Sequence, residues 1–332
     1  MKSPPVATSR RDCLTTLATA MLFGSAWAQQ AWPTRVITLI VPWPSGNPTD
    51  ALSRRLAPLL SKALGQPVIV ENIAGAAGTL GVGRVATQPA DGHTILMSTP
   101  SELIMSPSQV PAARYVPGDF RMVGLFGRVP YVLVSRPNLP QTSLAEVMAL
   151  RTKTGLAPLS IGNIGPGSLI HLIAKQFEKV SGLSVNHIAY RGVPPMMQDL
   201  YGSQIDLAFV PLSGATMDGI AQGRLRSLGI TASVPYALYP SLQPMASGHA
   251  AFAGFDFDVW AGMHLPKSVP AEVLRRLNQV FYEATQDTEF REWARLNGTS
   301  FEPPMGLAEL ERLYSRDINR YQEMAKAVPL TN

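Results

Sequence analysis

Cysteine is almost missing from this chain of 332 residues: it has one, Cys13. A lone cysteine forms no intramolecular disulfide, so a disulfide scaffold is excluded. Charge is sparse as well. Asp, Glu, Lys and Arg make up 15% of the residues and the net charge is +5. Without a Lys/Arg cluster, a nucleic-acid partner is not supported. The five histidines, at 93, 171, 187, 249 and 264, form no H-x-x-x-H pair, which argues against zinc. No other pattern calls for a metal or a cofactor. The G-x-S-x-G elbow of acyl hydrolases is also missing. Past the N-terminus, no segment is apolar enough to cross a bilayer. What is present is a hydrophobic content of 46%, typical of a globular protein, in a chain long enough for two lobes.

The N-terminus reads as an export signal. Lys2, Arg10 and Arg11 give a positive start, residues 14–25 an apolar segment, and Ala26-Trp27-Ala28 a small-x-small cleavage site. Cleavage is expected before Gln29, which makes residues 1–28 a signal peptide, and its apolar part is too short to span a membrane. Ser9-Arg10-Arg11-Asp12-Cys13-Leu14 also resembles the twin-arginine pattern, with Cys13 where Phe is usual. A general secretory signal with two arginines is the other reading. Removal takes away three basic residues and one acidic residue, so +5 becomes +3, and it removes Cys13. The expected product is an exported protein of the bacterial periplasm with no thiol chemistry.

The chain is organised around residues 36–55, VITLIVPWPSGNPTDALSRR. Residues 36–41 form a nearly unbroken apolar run, which reads as a strand buried on both faces. Pro42-Trp43-Pro44-Ser45-Gly46-Asn47 cannot continue a ladder. Leu52, Leu56, Leu59, Leu60 and Ala63 then recur at helical spacing. Asn47 stands at the N-cap, Pro48 at the first helical position, and Asp50 completes an N-x-x-D variant of the capping box. Strand, tight loop and helix start together aim amides and a helix dipole into the loop mouth, where an anion is favoured. An ordinary βα turn with no ligand has the same local pattern.

Strands at 68–70 and 93–98 alternate with helices, which predicts βαβ units and a parallel sheet. The apolar runs of residues 122–134 mark the first crossing into another lobe. There the arrangement repeats: a strand at 159–161, the loop Gly162-Asn163-Ile164-Gly165-Pro166-Gly167-Ser168, and a helix with Ile170, Ile173, Ala174 and Phe177 on its buried face. Residues 255–265 return to the first lobe, and three helices finish the chain. The expected division is 29–127 with 258–332 as lobe 1 and 128–257 as lobe 2. An anion-friendly loop in each lobe predicts a ligand held between them.

The ordered set of short motifs resembles the substrate-binding proteins of tripartite tricarboxylate transporters, the Bug-type receptors. It runs from Trp32-Pro33-x-Arg35 through Val41-Pro42-Trp43-Pro44-Ser45-Gly46, with Asp50 and Arg54, to Leu64-Gly65-Gln66-Pro67 and Glu71-Asn72. It goes on with Asp91-Gly92-x-Thr94, Gly165-x-Gly167-Ser168, Tyr190-Arg191-Gly192 and Gln204-Ile205-Asp206. Gly223-Arg224-Leu225-Arg226, Trp260-Ala261-Gly262 and Arg276-Leu277-Asn278 complete it. The resemblance implies an α/β, two-lobed periplasmic-binding-protein fold (type II, Venus-flytrap), each lobe a mostly parallel sheet flanked by helices. It implies a monomeric receptor, not an enzyme, that binds a small carboxylate (a di- or tricarboxylate or an aromatic acid) for membrane transporter subunits. By the same resemblance the ligand contacts are Trp43, Ser45, Gly46, Asn47 and Thr49 in loop one. In loop two they are Gly162, Asn163, Gly165, Gly167 and Ser168. Asp50 is read as the cap of the first helix.

Two departures from the family pattern stand out. Gly46-Asn47 replaces Gly-Gly, so Asn47 adds a side chain that either caps the helix or touches ligand. Phe209-Val210-Pro211 replaces Phe-Asp-Asn, which removes an acidic partner for an amino-acid ligand. Trp43 and Trp260 are candidates for an apolar wall or for core packing at the lobe junction. Gly81-Val82-Gly83-Arg84-Val85-Ala86, with Glu102 beyond it, matches a dinucleotide pattern but equally reads as close glycine packing. Ser168 with His171 or His187 is the nucleophile and base that an exported enzyme would use, and His171 otherwise reads as a partly exposed helix residue. An exported hydrolase-like enzyme and a receptor feeding a sensor are the alternatives.

Overall fold

The computed structural model describes residues 32–153, 155–299 and 301–327. The expected signal peptide, residues 1–28, and Cys13 lie outside them. The organising stretch forms β1 (Ile37–Val41) and α1 (Pro48–Leu64). Asn47 caps α1, its Oδ1 accepting from Thr49 N at 3.0 Å, and Gly65 closes the helix at φ 69°. A left-handed C-terminal residue of this kind costs glycine no steric penalty. Leu52, Leu56 and Leu60 are buried along one face.

β2 (Val68–Asn72), α2 (Thr79–Ala86) and β3 (Thr94–Ser98) follow. β1 pairs in parallel with β2 on one side and β3 on the other. Gly75, Gly78 and Gly81, before and within α2, pack closely: a Cβ on Gly81 would lie 2.7 Å from both Ile73 O and Pro42 Cα. That contact accounts for the first glycine of the G-x-G-x-x-A pattern without a nucleotide; Gly83 has no heavy atom within 4 Å of a Cβ.

The two apolar runs around Arg128-Val129-Pro130 form one 16-residue strand, β4 (Phe120–Ser135). Its partner changes midway. Phe120 to Pro130 pair antiparallel with β9 (Asp258–Pro266), and Tyr131 to Ser135 pair with β7 (Leu207–Pro211). Pro130 donates no amide, and it sits where one ladder hands over to the next. Lobe 2 is built from α3 (Leu144–Met148), β5 (Leu159–Asn163), α4 (Leu169–Ser181), β6 (Val185–Ala189) and α5 (Val193–Tyr201) before β7. After β7 come α6 (Gly214–Ala221) and β8 (Arg226–Ile230). The strand order is β2-β1-β3-β9-β4-β7-β5-β6, with β8 on the other side of β4. Each lobe has three parallel strands, and the crossing strands add antiparallel pairs.

The C-terminal helices (Ala271–Thr285, Thr288–Leu296 and Leu307–Ala327) return to lobe 1. Phe126, Phe281 and Phe290 cluster beneath them, and Phe177, Phe209 and Phe252 form the counterpart in lobe 2. At the crossing, Arg128 binds Asp258 at 3.1 Å and also Asp317, whose Oδ2 receives Trp260 Nε1 at 2.8 Å. This ties the last helix to both crossing strands. Among the described residues no helix is long and apolar enough to cross a membrane.

Candidate functional site

A cavity of about 330 Å³ draws its walls from both lobes. From lobe 1 come loop one, the start of α1, Phe126 and Trp260. From lobe 2 come the starts of α5 and α6.

Of the loop-one residues, Trp43, Gly46, Asn47 and Thr49 line the cavity. Ser45 is outside the lining, exposed, with Oγ 3.3 Å from Asp50 Oδ2. Asp50 also accepts from Gly46 N at 2.9 Å, Arg54 Nε at 3.0 Å and Asn72 Nδ2 at 3.0 Å. Burial works to raise its pKa, but the bonds from Arg54, Gly46 and Asn72 outweigh it and hold the carboxyl below its usual range. The loop therefore organises its own amides. Gly46 N serves Asp50, Asn47 N serves Pro44 O at 3.3 Å, and Thr49 N serves Asn47 Oδ1. Asn47 Nδ2 is left on the cavity wall with no hydrogen bond among the described residues. Capping and facing the cavity, offered above as alternatives for Asn47, use its two different side-chain atoms.

Gly162, Asn163, Gly165, Gly167 and Ser168 are not among the cavity walls; their neighbours Ile164 and Ile170 are. Local bonds occupy loop two. Asn163 Oδ1 accepts from Gly165 N at 2.9 Å, and Ser168 Oγ accepts from His171 N at 3.2 Å. Lobe 1 takes the rest: Leu169 N donates to Ser101 Oγ at 3.1 Å, and Ser106 Oγ reaches Gly167 O at 3.4 Å. Loop one instead meets the start of α5. A Cβ on Gly192 would lie 3.0 Å from Pro44 Cδ, and one on Gly46 would lie 3.8 Å from Pro194 Cγ.

The lobe 2 wall that sequence reasoning did not single out is Leu212-Ser213-Gly214-Ala215-Thr216. Ser213 caps α6, accepting from Thr216 N at 3.4 Å. A helix's first amides lack intrahelical acceptors, so Gly214 and Ala215 present open donors here. The available signal was a serine three residues before Thr216 at the end of a buried strand. Gly214 is also a close-approach point: a Cβ there would be 2.1 Å from Asn297 Oδ1.

Trp43 and Trp260 both line the cavity while remaining 3% and 0% exposed. Each is thus packed and wall-forming at once. Trp260 stacks on His264 with ring centroids 5.4 Å apart. Behind Trp43 lies Glu102, fully buried, receiving Thr99 N and Thr99 Oγ1 at 2.6 Å each. Burial pushes its carboxyl up to about 7, against hydrogen bonds from Thr99 and Trp43.

His171 is buried, contrary to the partly exposed position expected, because its turn of α4 packs inward beside His187, with centroids 5.3 Å apart. Burial and the neighbouring His187 and Lys175 push it down to about 4. Ser168 Oγ donates to Gly165 O at 2.7 Å and makes no bond to the His171 ring.

A two-lobed α/β fold with an uncharged, interlobe cavity and helix starts on its walls defines a solute-binding protein. The chain belongs to the tripartite tricarboxylate transporter family of receptors, whose sequence profile it matches over residues 52–330. It is 34% identical over 260 residues to protein BugT of Bordetella pertussis, covering 77% of this chain and 78% of BugT. Periplasmic binding protein BugD superposes with a TM-score of 0.81 at 28% identity, covering 89% of this chain and 98% of BugD. Rpa4515 of R. palustris, solved with adipate, gives a TM-score of 0.81 at 29% identity, covering 89% and 97%.

Proposed function

We propose that this protein is a periplasmic receptor that closes over a small carboxylate and delivers it to a tripartite tricarboxylate-type transporter. The carrying observation is the cavity shared by the start of α1 from lobe 1 and the start of α6 from lobe 2. Helix starts favour anions, and closure strengthens each polar contact by excluding water. Adipate in Rpa4515 supports a carboxylate as the ligand class. In this reading residues 29–127 with 258–332 form one rigid lobe and 128–257 the other. Cleavage after Ala28 releases a monomer into the periplasm.

Melting curves of the mature protein test this reading. A bound acid at one hundred times its dissociation constant stabilises the folded state by about 2.7 kcal/mol. A clear rise in Tm with an acid that is recovered unchanged is expected. Turnover of that acid would replace the receptor with an enzyme. N-terminal sequencing of the periplasmic protein should begin at Gln29.

A further inference from the structure

Glu102 is a buried carboxyl group without a counter-charge. It lies in a π-helical turn, Ser101–Met105, every residue of which is buried, and turns of this width recur at functional sites. Among the described residues it forms no salt bridge, and an isolated buried charge is costly. Its partners belong to the cavity wall. Thr99 N donates to Oε1 and Thr99 Oγ1 to Oε2, each at 2.6 Å, and Trp43 also stabilises the charged form. Thr99 and Trp43 both line the interlobe cavity. Gly78 makes the close approach possible: a Cβ there would lie 2.5 Å from Glu102 Cβ and 3.3 Å from Trp43 Cζ2.

The ionisable groups that face Glu102 are two phenols, Tyr115 from the loop ahead of β4 and Tyr131 from β4. Burial raises both, so they stay protonated and neutral. From the last helix, Tyr314 acts on Tyr115. From lobe 2, His171 responds to His187, Lys175 and Glu178 and not to Glu102.

The two carboxyl oxygens are not equivalent. Oε1 faces a backbone amide, which can only donate. Oε2 faces a hydroxyl, which has one proton and two lone pairs. With Glu102 ionised, Thr99 spends that proton on Oε2 and accepts from Ser101 N at 3.3 Å. With a proton on Oε2 the bond reverses: Glu102 donates to Thr99 Oγ1, and the threonine proton is free for the cavity. Burial pushes Glu102 up to about 7, so both states are populated near neutral pH. An anion on the same wall favours the protonated state twice, by removing a like charge and by gaining a donor.

We propose that acid binding is coupled to uptake of a solvent proton by Glu102 Oε2, and that this proton frees the Thr99 hydroxyl to donate to the bound carboxylate. The coupling rests on the receptor reading and deepens it: the receptor loads its acid more tightly as pH falls. Glu102 is thus a positioning residue that acts through Thr99.

Titration calorimetry on the mature protein with adipate, malate and benzoate, between about pH 6.5 and 8.5, tests the coupling, since these acids stay ionised there. The tightest of the three should bind about fivefold tighter at the lower pH, and its binding enthalpy should change with the ionisation enthalpy of the buffer. Glu102→Gln fixes the reversed arrangement, because its amide donates to Thr99 Oγ1 at every pH. It should bind about fivefold tighter than wild type at the higher pH, vary less than about twofold across the range, and take up no proton. Thr99→Val removes the relayed donor and should bind about fivefold more weakly than wild type at the lower pH. A purely structural role for the pair would instead weaken both variants at both pH values, and that result overturns the coupling. Wild-type binding that is independent of pH and buffer, or a pH profile retained in Glu102→Gln, also overturns it and leaves the receptor reading standing. If none of the three acids binds at any pH, the receptor reading falls with it.

Discussion

α1 and α4 begin in the same way and end up doing different work. Each follows a buried strand and a glycine- and proline-bearing loop, and each is capped by its own side chain, Asn47 or Ser168. Local chemistry does not separate them; what lies across the lobe boundary does. Loop one meets Gly192 and Pro194, which bring no hydrogen-bonding side chain, and Asn47 keeps Nδ2 free beside a cavity. Loop two meets Ser101 and Ser106, whose hydroxyls engage Leu169 N and Gly167 O. One helix start forms a wall of the cavity, and the other is chiefly a joint between lobes, with Ile164 and Ile170 reaching the cavity. Backbone amides are claimed locally at both helix starts, so the difference lies in a side chain: Asn47 keeps an unclaimed donor beside the cavity, whereas the Ser168 hydroxyl is spent on Gly165 O and His171 N.

The largest expected contrast is in pH dependence, because the groups behind the two loops are shifted in opposite directions. Glu102, behind Trp43, is raised from 4.5 to about 7. Between those values the unfolded chain has released a proton that the folded one keeps, so stability falls as pH rises. His171, in the first turn of α4, is lowered from 6.5 to about 4. Its contribution is full above 6.5 and is lost as pH falls, because the unfolded chain takes up the proton first. Each window amounts to about 3 kcal/mol. Glu102→Gln should therefore gain on wild type by that order between pH 4.5 and 7. His171→Phe should gain similarly between pH 6.5 and 4. Urea unfolding at a series of pH values measures both, and curves parallel to wild type would remove the contrast.

Binding should separate the loops next. Gly46 and Gly165 both hold positive φ, 84° and 102°, so a Phe at either brings similar backbone strain. Only Gly46 borders the cavity; a Cβ at Gly165 has no heavy atom within 4 Å. Gly46→Phe should weaken acid binding at least about tenfold (about 1.4 kcal/mol) and Gly165→Phe less than about twofold. Equal losses by calorimetry would return loop two to the site.

Much of the architecture was legible in the chain. Periodicity and capping located β1, α1, α4 and the three final helices, because short-range patterns govern those elements. Half of the candidate site, the cavity wall at Asn47 and its loop, was legible for the same reason, because that loop carries a local signature. The other half depends on pairing. Tyr131 reaches the cavity because β4 changes partners beside it, and Pro130 in the sequence looks like a break, not a hand-over. Ser213-Gly214-Ala215-Thr216 lies after a strand whose position opposite loop one follows only from the full strand order. Ser101 and Ser106 claim loop two from about 60 residues away in sequence, at separations of 68 and 61, where no local pattern points to the contact.

The smallest contrast is also the most selective, because Asn47 performs two tasks with two atoms. Its Oδ1 caps α1, and its Nδ2 faces the cavity. Serine is as good an N-cap as asparagine but has no amine to offer. Asn47→Ser should thus stay within about 0.5 kcal/mol of wild-type stability while losing about fivefold in affinity, the worth of one modest hydrogen bond. Ser168→Ala should do the reverse. It removes a cap worth about 1 kcal/mol, read as a lower urea midpoint, and leaves affinity unchanged, because its hydroxyl is spent on Gly165 O and His171 N. Crossed effects of this kind cannot come from general destabilisation, which would lower stability and affinity together in both variants. If Ser168→Ala lost affinity at constant stability, α4 and not α1 would be the helix start that holds the acid.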